Sequence, residues 1–144
     1  MSDERGRRAL VVGPTGRTVA ANLARLRSVR GFSTRRLASL LEEAGRTIPA
    51  SGITRMEKAE RHISADELVA LAAVFRVAPS TLLLPFTDDP AARVEITGAG
   101  AVSADRAWDW MDGRVPLQSS SSDDGTAALE HALYARPPGR RKSP

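Results

Sequence analysis

Apolar side chains recur at helical spacing from about residue 17 to residue 85 of this 144-residue chain. Val19, Leu23, Leu26 and Val29 are separated by four, three and three positions, the interval that keeps residues on one face of an α-helix. Gly31 follows where a helix end favours glycine. "STRRLASLLEEAG" then reads as a second helix, with Ser33 as N-cap, Leu37, Leu40, Leu41 and Ala44 as its apolar stripe and Gly45 as its stop. Pro49 has the fixed φ suited to the first turn of a third helix, which carries Ile53, Met56 and Glu57. Ser64 and Glu67 have the spacing of a capping box, ahead of a stripe made of Leu68, Leu71, Ala72 and Phe75. "APSTLLLP" predicts a short fifth helix opened by Pro79 and closed by Pro85. Five helices with short connections predict a compact all-α domain over residues 17–86.

The flanks read differently. Residues 1–16 contain Arg and Gly and predict a flexible basic arm, with Arg5, Arg7 and Arg8 within reach of whatever the domain binds. In residues 87–117, "ARVEITGAGAV" alternates enough for a short strand, and "SADRAWDWMDG" predicts one short helix between a Ser103 cap and a Gly113 stop. Trp108 and Met111 share a face of that helix, which either packs within the chain or meets a protein partner or a second copy through Trp108 and Trp110. Residues 118–144, rich in Ser, Pro and charge, predict a disordered tail.

Charge adds what periodicity cannot. The chain carries a formal +4, unevenly spread: residues 17–61 hold ten Lys/Arg against four Asp/Glu, whereas residues 90–144 hold seven of each. A clustered excess of this kind is the footprint of a polyanion such as nucleic acid. With no Cys in the chain, disulfides, thiolate metal sites and cysteine nucleophiles are excluded. No run approaches the ~20 apolar residues of a membrane span, and the opening apolar run is too short for a signal peptide, so the expectation is a cytoplasmic protein without membrane association. "GPTGRT" lacks the spacing and the Lys-Ser/Thr end of a phosphate loop, and His62 and His131 lie far apart with no ligand pattern beside them. Neither cofactor nor metal is expected, and no catalytic constellation emerges.

Two stretches carry a family likeness. "LRSVRGFSTRRLASLL" and "ITRMEKAERHISADELVALAAVFRVAPSTLL" together resemble the Cro/phage-repressor (XRE-type) helix-turn-helix family, over roughly residues 18–85. One departure is visible. Ala38 and Ile53 are fifteen residues apart where the family has ten, so the end of the second helix and the turn are lengthened, as in variants associated with actinobacterial regulators. The resemblance implies a five-helix phage-repressor-like domain that binds double-stranded DNA as a homodimer, as a transcriptional regulator and most simply a repressor. The same fold also serves non-enzymatic adaptors and antitoxin-like modules, which is the alternative function.

In this reading "PASGITRME" is the recognition helix. Ala50, Ser51, Thr54 and Arg55 face the major groove, Arg55 being able to pair bidentately with guanine. Ser33, Thr34 and Arg35 meet phosphate at the second helix's N-terminus, where backbone N–H groups favour an anion. Arg30, Arg46, Lys58 and Arg61 are further phosphate contacts. Glu57 is expected to be structural, paired with Arg36 or Arg27.

Overall fold

The computed structural model describes residues 11–118 and 125–141. Most of them are helical, and they divide between Phe86 and Thr87 into two compact units.

The first unit contains α1 (Pro14–Arg30), α2 (Thr34–Glu43), α3 (Ala50–Glu57), α4 (Ala65–Phe75) and α5 (Pro79–Leu83). One apolar cluster joins them, with Leu23, Leu37, Leu41, Ile53, Met56, Leu71 and Leu82 fully buried. Phe32 stacks on Phe75 with ring centroids 6.1 Å apart. The buried Asn22 amide donates to the carbonyls of Leu82 and Leu84 at 2.9 and 2.7 Å, tying α1 to the chain leaving α5. That satisfies an amide which would otherwise cost more than its burial returns.

The helix ends follow the sequence closely. Ser33 Oγ accepts from the Arg36 N–H at 3.0 Å. Ser64 and Glu67 form the reciprocal capping box, at 3.1 and 2.9 Å. Gly31 and Gly45 are left-handed, at φ +67° and +89°, and each lets its own N–H and the next one turn back onto the closing carbonyls. α3 and α4 close with the same hydrogen bonds, but through Ala59 (φ +54°) and Arg76 (φ +59°), residues whose Cβ makes that conformation unfavourable.

Several expectations are corrected. α1 begins at Pro14, inside the stretch expected to be an arm, and the arm's Arg5, Arg7 and Arg8 lie outside the described residues. Val29 is 72% exposed, because the last turn of α1 runs beyond the cluster. Ala44 is exposed and Leu40 only half-buried, so α2 buries Leu37 and Leu41, one turn apart. Pro49 is the N-cap of α3 rather than its first residue.

The second unit departs further. Instead of one strand there are two, β1 (Arg93–Ile96) and β2 (Gly100–Ser103), paired antiparallel from Arg93↔Ser103 to Ile96↔Gly100. Val94, Ile96 and Val102 are buried, with Ala104 and Ala107 of α6 (Ala104–Met111). Ser103 caps α6 as expected, and Trp108, Trp110 and Met111 are half-buried. The tail expected to be disordered contains α7 (Thr126–Tyr134) and a 3-10 turn over Pro138–Arg140. None of α7 is fully buried, and Ala and Leu, both good helix formers, dominate it. The parts of that expectation on residues 119–124 and 142–144 lie outside the described residues. No helix among the described residues is long and apolar enough to cross a membrane.

Candidate nucleic-acid interface

α3 is short, and three things fix it. Ile53 and Met56 are fully buried one turn apart. Gly52 is buried because a Cβ there would stand 3.3 Å from Ile48 Cγ2 and 3.5 Å from two Pro49 ring carbons. The third is a guanidinium fork. Arg27 donates from Nε and Nη2 to the two carboxylate oxygens of Glu57, at 2.5 and 3.1 Å, and from Nη1 to the Phe32 carbonyl at 2.9 Å. The hydrogen bond to Glu57 outweighs partial burial and raises the already high pKa of Arg27. One side chain of α1 thus grips the last residue of α3 and the residue that leads into α2. Of the two partners expected for Glu57, Arg27 is the one found.

The stretch from Ala38 to Ile53 contains a six-residue connection between α2 and α3. α2 stops at Glu43, and residues 44–49 cross to α3. That connection is not loose: Ile48 is 3% exposed and belongs to the core, anchoring the chain just before Pro49. Sequence periodicity missed Ile48 because a single inward residue in a loop has no period.

The cationic side chains of residues 17–61 divide into two groups of five. Arg17 donates to the Val12 carbonyl, Arg25 lies 3.9 Å over the Phe86 ring, and Arg27 holds Glu57. Arg30 donates to the Phe75 carbonyl at 2.9 Å and lies over Phe32. Arg61 makes a two-point ion pair with Glu67 at 2.9 and 3.1 Å. Arg30 and Arg61 were expected to meet phosphate; Arg61 is half-buried on Glu67, whereas Arg30 is exposed and gives one N–H to Phe75, keeping its other donors. The other five are Arg35, Arg36, Arg46, Arg55 and Lys58. All are exposed, and none has a side-chain hydrogen bond or ion pair among the described residues. All five lie on α2, α3 and the chain joining or ending them. Arg36 was expected only as a partner for Glu57; the Arg35–Arg36 doublet was the signal that it belongs with the exposed cations.

The polar members of the expected set sit among these cations. Ser51 and Arg55 are exposed, one turn apart on α3, while Ala50 and Thr54 are half-buried. The Thr54 hydroxyl donates back to the Ala50 carbonyl at 3.2 Å, which leaves its oxygen to accept but occupies its proton. Ser33 Oγ is taken up as acceptor by the cap and keeps its own O–H to donate; Thr34 opens α2 beside it. Glu42 and Glu43, also exposed, are at the opposite end of α2 from Arg35 and Arg36. The charge separation along α2 is therefore basic at its N-terminus, where backbone N–H groups already favour an anion. Among the described residues no group of three or more His, Asp or Glu could hold a metal ion.

Comparison of the chain with protein-family models, with curated proteins and with solved structures finds no match.

Proposed function

We propose that this chain is a sequence-specific DNA-binding transcriptional regulator of helix-turn-helix type, a repressor that acts as a homodimer. α3 lies in the major groove with Ser51 and Arg55 toward base edges, and Arg35, Arg36, Arg46 and Lys58 meet the phosphates on either side. The observation that carries this reading is the division of the cations. Where arginines serve the fold they are spent on named carbonyls, rings and carboxylates. The five left exposed without partners all belong to one helix pair and the chain around it. Exposed cations gathered on a helix that is rigidly held from behind suit a groove lined by phosphates, since phosphate contacts position a protein and base contacts specify the sequence. A homodimer follows from the size of the surface: an eight-residue α3 reads only a few base pairs, and two-fold pairing doubles the site.

Selection of bound sequences from a random duplex pool tests the proposal. It should yield a motif with two related half-sites about one helical turn apart. Enrichment of no motif, with retention that depends on duplex length alone, would replace it with the adaptor reading.

A further inference from the structure

The second unit contains a cleft of about 210 Å³ between the chain following α6 and the exposed side of α7. Its lining includes the apolar Val115 and Ala132, and among the described residues its ionisable lining is basic: Arg114, His131, Arg136 and Arg141. Residues 90–144 hold equal numbers of basic and acidic residues, so this is a local concentration rather than a general excess. Two of the guanidiniums are oriented by backbone. Arg136 donates from Nε to the Gly113 carbonyl at 3.2 Å and from Nη2 to the Asp112 carbonyl. Arg141 donates from Nε to the Arg136 carbonyl at 3.2 Å and from Nη2 to the Leu133 carbonyl. A guanidinium has five N–H donors, and neither Nη1 has a partner among the described residues. Arg114 has only a 3.8 Å approach to Asp109, an exposed pair of little strength.

We propose that this cleft binds a small organic oxyanion, a carboxylate or phosphate carried on a compact apolar body. Guanidiniums held by backbone lose little freedom on meeting an oxyanion, and their planar fork matches its paired oxygens. The apolar part of the lining excludes water beside the anion and gives the organic part its contact area. The cavity is too small for a nucleotide, which limits the ligand to a single ring or short chain. The inference uses none of the residues assigned to DNA and stands or falls separately from that assignment.

Isothermal titration of the full chain with benzoate, phenyl phosphate and the neutral benzamide tests it. At least one of the two anions should bind saturably, and benzamide about tenfold more weakly or not at all, the ratio expected from one charge-assisted hydrogen bond. Which anion binds more tightly distinguishes a carboxylate site from a phosphate site. Arg114→Gln, which breaks no backbone bond, should weaken the preferred anion by about tenfold. Ala132→Glu places a carboxylate in the lining and should abolish binding; it decides the matter if Arg114→Gln alters the circular dichroism. Saturable binding of neither anion, equal binding of benzamide, or variants that bind as the wild type does would each overturn the proposal. So would a loss of DNA affinity in Arg114→Gln with anion binding unchanged, because the arginines would then be phosphate contacts for the duplex.

Discussion

Arg55 and Lys58 are three positions apart, both exposed and both unpaired, yet they are assigned different work. Arg55 lies within α3, one turn after Ser51, and in the proposed complex its guanidinium would reach base edges; Lys58 is the C-cap, at the rim. Arg55→Ala should therefore cost about 1–3 kcal/mol on the selected duplex and relax preference at one guanine, whereas Lys58→Ala should weaken specific and scrambled duplexes alike. Fluorescence anisotropy on both duplexes checks this; an equal loss on both for Arg55→Ala would make it a phosphate contact and shift the placement of α3. Glu67 makes a prediction about stability instead. Burial pushes its pKa up, but the hydrogen bonds from Arg61 and the Ser64 amide outweigh that, and the net shift is downward. A carboxylate depressed on folding contributes stability that is full above its unfolded pKa and lost as pH falls through the folded one. The stability difference between wild type and Glu67→Gln should thus be constant near neutrality and shrink below roughly pH 4. Urea titrations across that range measure it, and a difference that grew on acidification would contradict the assigned partners.

At the scale of elements, the same closing motif ends α1, α2, α3 and α4, with glycine at the left-handed position in two cases and Ala59 or Arg76 in the others. Relieving that strain is worth more than the extra freedom glycine gains in the unfolded chain, so Ala59→Gly and Arg76→Gly should each stabilise by about 0.5–1 kcal/mol. Thermal melts would read this as a higher midpoint, and a lower one would mean the strain is absent. These ends also mark how far the sequence could be read. Ser33, Gly31, Gly45 and the Ser64–Glu67 box were legible because capping is local chemistry with fixed spacing. The inward residues of α3 and α4 were legible because apolar period and burial agree there, and α5 because prolines bound it. Val29 was misjudged since periodicity continues past the point where the partner surface ends. The second strand was missed because "GAGAV" has small residues whose pairing depends on β1 rather than on themselves. α7 was missed because the whole segment was weighed by its Ser- and Pro-rich ends, which hid a nine-residue helix made mostly of Ala, Leu and Glu between them. For the candidate interface, the exposure of Arg35, Arg46, Arg55 and Lys58 was legible from residue type, but the internal partners of Arg30 and Arg61 were not. Their partners, Phe75 and Glu67, are set by how helices and caps meet in space.

Over the whole molecule the two units differ in charge and in what they offer. The first concentrates unspent cations on α2 and α3; the second is near neutral, with a half-buried Trp helix and one basic cleft. Of the alternatives open for Trp108 and Trp110, a contact with a partner or a second copy suits the proposed dimer, since half-buried tryptophans have apolar area to give. The central claim, that the exposed cations of the first unit meet phosphate, has an ionic signature. Counterions released from DNA make the logarithm of the binding constant fall linearly with the logarithm of salt, by roughly 0.9 per phosphate contacted. In the proposed complex Arg61 stays with Glu67, Arg30 keeps its bond to Phe75 and Arg55 meets a base, which assigns the phosphates to Arg35, Arg36, Arg46 and Lys58. The slope should be near −4 for one protomer and near −7 for a dimer on two half-sites, from that same factor. An anisotropy titration of the selected duplex at several salt concentrations measures it directly. A slope in that range, halved when Arg35 and Arg36 are both changed to Ala, is the result this account predicts; a slope near zero, or one indifferent to those two residues, would contradict it.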